Sequence, residues 1–131
     1  MDDARRTPAH VLLVDGRPVA PLEVAATRRA RAIGLLGRDG LDGALLLRPA
    51  GSVHTIAMRF PIDVALCTRD LSVVTVLTLA PGRLTLPRRG VRAVVEAGAG
   101  SFECWDLRPG STLAVDAASW VGGPPARRTR R

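Results

Sequence analysis

The chain predicts a mainly β (α+β) fold, a small antiparallel β-sandwich or barrel covered by one α-helix. Three observations carry this expectation. The apolar runs are short and rich in Val and Leu, which suits strands better than helices. Turn formers such as Asp15-Gly16, Leu41-Asp42-Gly43 and Pro109-Gly110 separate them. Only one segment, Arg28 to Leu36, spaces its apolar residues convincingly for a helix.

Residues 1–9 are polar, end in Thr7-Pro8, and are expected to be a flexible lead-in to a single β-rich domain over residues 10–120. Val11 to Val14 and Val19 to Ala25 then form a hairpin, because Asp15-Gly16 supplies the positive φ angles that a tight turn demands. Pro18 and Pro21 confine the second strand to an edge or a bulged position. Thr27 is placed to cap the Arg28 to Leu36 helix, whose Ala32, Leu35 and Leu36 form an apolar stripe, and Gly37 to stop it. Its arginines face solvent.

Ala44 to Leu47 is the next strand, ended by Pro49-Ala50-Gly51. Val64 to Cys67 and Val73 to Leu79 follow, joined across Thr68-Arg69-Asp70. Residues 80–92, rich in Pro, Gly and Arg, read as a long connection. Ala93 to Ala97 is a further strand, interrupted by Gly98 and Gly100; Ser101 to Leu107 is a helical turn, and Thr112 to Val115 closes the order. Residues 121–131 read as a disordered Arg-rich tail.

A chain of 131 residues buries roughly two-thirds of its unfolded surface, enough for a core without metals or disulfides. Aromatic residues make up only 3%, so aliphatic side chains must fill that core. The net charge of +7 comes entirely from arginine on the basic side, and four arginines fall in the last five positions. The remaining arginines are interleaved with carboxylates, and the aromatic platforms that single strands stack on are scarce, so nucleic acid is not an expected partner. The tail is read as solubilising, with contact to nucleic acid or an anionic membrane as its alternative. Two cysteines, Cys67 and Cys104, are too few for a disulfide framework and are expected to be buried thiols. No run is long enough for a membrane span or a signal-peptide core, and the expected location is cytoplasmic.

Chemistry concentrates between Val53 and Cys67, where His54, Met58, Arg59 and Asp63 lie close together in sequence. With this stretch in place the chain resembles a bacterial and archaeal family, domain of unknown function family 192 (DUF192), over residues 20–116. The resemblance rests on Gly34-Leu35-Leu36-Gly37-Arg38, Gly43-Ala44-Leu45-Leu46, Met58-Arg59-Phe60-Pro61-Ile62-Asp63 and Val95-Glu96-Ala97-Gly98-Ala99-Gly100, in that order. These answer a family pattern of Gly-Leu-Met-x-Arg, Gly-Met-Leu-Phe, Met-x-x-x-x-Pro-Leu-Asp and Leu-Glu-x-x-x-Gly. Leu36, Leu46 and Ser111 stand where the family has Met, Phe and Asp, and His54 near a frequent aromatic. The resemblance implies a small β-rich domain and no established activity.

Asp63 and Glu96 each adjoin an apolar strand, so each needs a partner or a shifted pKa. Arg38 and Arg59 are the candidate partners. One reading is a structural ion pair fastening the Met58 to Asp63 loop to the Glu96 strand. A second is a polar pocket for a small ligand, formed by Arg38, His54, Met58, Arg59, Asp63 and Glu96. A third makes the chain a hydrolase-like enzyme with Asp63 and Glu96 as acid and base. His54, Met58 and Cys67 are residue types that soft copper sites use, but Pro61 argues against the helix that would align the first two. No metal or cofactor is therefore expected. The first choice is a non-enzymatic binding or accessory module for an unidentified small polar ligand or protein; the sequence leaves the oligomeric state open.

Overall fold

The computed structural model describes residues 10–25, 43–51, 60–83 and 85–117. Seven strands are found among them: β1 His10–Val14, β2 Arg17–Ala25, β3 Ala44–Leu47, β4 Ile62–Cys67, β5 Val73–Leu79, β6 Ala93–Gly98 and β7 Leu113–Asp116. A short helix, α1 Ser101–Trp105, lies between the last two. The lead-in, the helix expected at Arg28 to Leu36 and the Arg-rich tail fall outside the described residues.

The strands form one sheet in the order β5-β4-β6-β3-β2-β1-β7. It is mixed rather than wholly antiparallel, because β2 and β3 run parallel through Leu22↔Ala44 to Ala25↔Leu47. Parallel neighbours need a crossover of about a dozen residues or more, and the connection from 26 to 43 supplies that length. Nor is it a two-sheet sandwich. The outer strands β5 and β7 approach one another at a Ser72↔Thr112 bridge, supported by Val73 N–H donating to the Ser111 carbonyl and Leu113 N–H to that of Leu71, both 2.9 Å. The sheet is thus curled into a half-barrel.

The hairpin turn has φ of 49° at Asp15 and 84° at Gly16, as the dipeptide predicted. Pro18 and Pro21 sit in the part of β2 that pairs with β1 alone, since β3 joins only from Leu22 onward, and a register shift separates Leu12 from Leu13 opposite them. Both prolines are accommodated by a bulged, locally one-sided strand inside the sheet. Gly43, at the start of β3, has φ of 103°, and a Cβ there would lie 2.7 Å from the Pro21 carbonyl oxygen.

Two cores result. On the concave face Leu12, Leu22, Leu46, Cys67 and Val95 pack with Phe102 and Trp105 of α1. The opposite face carries Leu45, Ile62, Val64, Leu66 and Val94. Strands β3 and β4 are buried at every residue, which explains why their sequences lack polar alternation. Cys67 is buried, whereas Cys104 is half-buried rather than buried, and the two are not bridged.

Candidate functional site

Asp63 is the second residue of β4 and only 5% exposed. Its carboxylate is held by three donors. Thr78 Oγ1, on the paired strand β5, donates to Oδ1 at 2.7 Å, and the backbone N–H groups of Gly100 and Phe102 donate to Oδ2 at 2.9 and 3.1 Å. Gly100 takes φ of 94°, so the chain turns sharply out of β6 and points these amides at the carboxylate. No side chain of the turn itself caps α1; Asp63 performs that service from another strand. The partner foreseen for Asp63 was an arginine. A hydroxyl and two main-chain donors take that role among the described residues.

Glu96 is fully buried elsewhere. In the β4–β6 ladder Asp63 lies opposite Ala97, and Val64 opposite Glu96. Opposed residues share a face, so Asp63 points with Ala97 into the concave core and Glu96 points with Val64 and Leu45 into the other. The two carboxylates therefore point to opposite faces of the sheet. Arg38, His54, Met58 and Arg59 lie outside the described residues.

Beside Asp63 opens a cleft of about 450 Å³, bordered by Val76, Leu77 and Thr78 of β5 and by Phe102 and Glu103 of α1. Sequence reasoning did not single out Thr78 and met Gly100 only as a strand interruption. A threonine on an apolar strand and a glycine entering a helical turn were the available signals. Cys67 points into the concave core, its thiol donating to the Ala65 carbonyl at 3.7 Å, and burial pushes its pKa up to about 12. That leaves it protonated and a poor nucleophile or metal ligand. Among the described residues no three His, Cys, Asp or Glu side chains converge on a metal-sized point, and no helix is long and apolar enough to cross a membrane.

The family described as Uncharacterized ACR, DUF192, matches residues 11–115. The chain belongs to the DUF192 family. No curated protein matches it. It is similar in fold to a protein of unknown function from Novosphingobium aromaticivorans DSM 12444, at 22% identity and a TM-score of 0.68, over 79% of this chain and 83% of that one. A protein from Sinorhizobium meliloti 1021, described as a "putative transcription regulator", aligns at 21% identity and a TM-score of 0.67, over 83% of this chain and 95% of that one. At such identities the likeness is one of fold.

The DUF192 motifs acquire physical meaning in this geometry. The Pro61-Ile62-Asp63 motif and the Glu96-x-x-x-Gly100 motif are joined by the Gly100 to Asp63 hydrogen bond. The Gly43 motif marks a close approach to β2 that excludes a Cβ. Ser111, standing where DUF192 has Asp, accepts from the Arg108 N–H through Oγ at 3.1 Å, a turn-closing bond that an aspartate oxygen also makes.

Proposed function

We propose that this DUF192 chain is a non-enzymatic binding or accessory module whose ligand seats in the cleft between β5 and α1. One observation carries the reading. Asp63 is a buried carboxylate fixed by three donors at the border of an open cleft, and its geometry suits fixing a wall better than transferring a proton. Such a concave site with a few oriented polar groups is the usual form of a small-ligand pocket. The hydrolase reading asked Asp63 and Glu96 to act together, and their opposite faces count against it. Of the other candidates, Arg38, His54, Met58 and Arg59 lie outside the described residues, while Glu96 serves the second core.

Amide NMR spectra of the labelled protein, titrated with a panel of amino acids, polyamines, sugars and nucleotides, test this. A binding compound is expected to shift the amides of residues 76–78 and 99–103. Ala99, exposed and lining the cleft, allows a plug, so Ala99→Leu is expected to abolish those shifts. Shifts centred elsewhere, or surviving the plug, would overturn the assignment.

A further inference from the structure

Strand β4 begins beside the cleft and ends at the opposite rim of the sheet. There β3 and β4 finish on either side of the start of β6, through Leu47↔Val94 and Cys67↔Ala93. Main-chain bonds tie the turns of this rim together: Arg92 N–H donates to the Cys67 carbonyl, Ala50 N–H to that of Arg92 and Val91 N–H to that of Arg88, at 2.9, 2.9 and 3.1 Å. The last of these closes a turn with Arg89 and Gly90 at its tip, Gly90 at φ of 85°.

Five exposed arginines stand on these turns: Arg48, Arg69, Arg88, Arg89 and Arg92. One carboxylate, Asp70, lies on them too. Among the described residues none of the five forms an ion pair; Arg92 donates through Nη1 to the neighbouring Val91 carbonyl at 3.1 Å. The described residues hold eight arginines and eight Asp or Glu, so positive charge is segregated at this rim rather than in general excess. The segments outside them contain eleven arginines and four carboxylates, and bring no surplus of negative charge to neutralise it. Beside the arginines Leu86 is 75% exposed, more than any other large hydrophobic residue described. It lies two residues from Arg88, at most about 7 Å along the chain. The described aromatic residues, Phe60, Phe102 and Trp105, are all buried, so the rim offers bases no stacking platform. A free leucine adds nothing to a contact with phosphodiesters, whereas the headgroup layer of a membrane accommodates an apolar side chain and arginines together.

We infer that this rim docks on an anionic membrane surface, with Leu86 entering the headgroup layer and the arginines meeting acidic lipid headgroups. This is contact at the surface, with no segment crossing the bilayer, and it is independent of the cleft.

The test is sedimentation of the full chain with vesicles of equal parts phosphatidylcholine and phosphatidylglycerol, beside vesicles of phosphatidylcholine alone. The anionic vesicles are expected to carry the protein down and the neutral ones to leave it in solution. Arg88→Gln with Arg89→Gln is expected to weaken partitioning roughly thirtyfold, at about fivefold for each arginine near the surface. Leu86→Ser is expected to weaken it roughly tenfold, while leaving any affinity for duplex DNA unchanged. All three positions are exposed, so the fold does not depend on them. No sedimentation with the anionic vesicles would overturn the inference. Undiminished binding by the Leu86→Ser variant would overturn it as well, since it would leave a bare attraction for any polyanion. Binding that survives the Arg88 and Arg89 changes but is lost on deleting residues 124–131 would assign the contact to the Arg-rich C-terminus instead. Tighter binding to duplex DNA than to the anionic vesicles would make nucleic acid the partner and refute the membrane.

Discussion

Asp63 shows how one side chain joins three elements. Removing its carboxylate strands two main-chain N–H groups in a nearly dry setting, and each such loss costs about 1–3 kcal/mol. Asp63→Ala is therefore expected to lower unfolding free energy by about 3 kcal/mol in urea denaturation, and Thr78→Val, which removes one donor, by about 1 kcal/mol. An Asp63→Ala protein as stable as wild type would show that the bonds count for little. Cys67 offers a second, pH-dependent measurement. Its ordinary pKa of 9.0 holds in the unfolded chain, while burial raises the folded value to about 12. Above pH 9 the unfolded state releases a proton that the folded state keeps, so the stability present below pH 9 is lost progressively toward pH 12. The slope approaches about 1.4 kcal/mol per pH unit. The chain has no lysine and no tyrosine, which leaves that window unusually clear. Cys67→Ala is expected to flatten the decline; an unchanged slope would place the titration elsewhere.

At the scale of elements, Gly43 is the sharpest constraint. Gly43→Ala would set a methyl 2.7 Å from the Pro21 carbonyl at φ of 103°, so β3 must move off β2 or the backbone must strain. A loss of about 2–3 kcal/mol is expected in thermal or urea unfolding. An unaffected midpoint would mean that the parallel β2–β3 contact relaxes freely. The strands themselves were legible: β3 and β5 begin and end where their apolar runs do, and the Asp15-Gly16 hairpin follows from local turn chemistry. Their order was not. Whether β3 lies parallel to β2 depends on pairing across a long connection, which no local pattern records. The same limit hid the site. Burial of Asp63 and Glu96 could be read from their apolar neighbours, but their opposite faces depend on the register Asp63↔Ala97. Strands buried on both sides carry no alternation from which that register could be inferred. Asp63's principal donors are main-chain amides, which have no sequence signature beyond Gly100.

At the scale of the whole molecule, the described residues form a curled sheet plugged by a very short helix. A five-residue helix has no independent stability, so α1 is held by its attachments. Among them are the Asp63 bonds, the Arg17 guanidinium donating to the Trp105 carbonyl at 3.1 Å, and the burial of Phe102 and Trp105 with ring centroids 6.0 Å apart. In a chain with 3% aromatic residues, those two rings supply much of the bulk of the concave core. Trp105→Ala should leave a cavity and cost about 3–5 kcal/mol. Trp105→Phe should cost distinctly less, because the indole Nε1 is buried with no hydrogen-bond partner, and phenylalanine keeps much of the packing while removing that unsatisfied donor. The two losses also differ in reach. If α1 holds the half-barrel closed, Trp105→Ala accelerates amide exchange throughout the concave core, in β6 and β1 as well as α1. If α1 is an independent lid, exchange rises in residues 99–107 alone and the sheet keeps its protection, an outcome that would refute the plug.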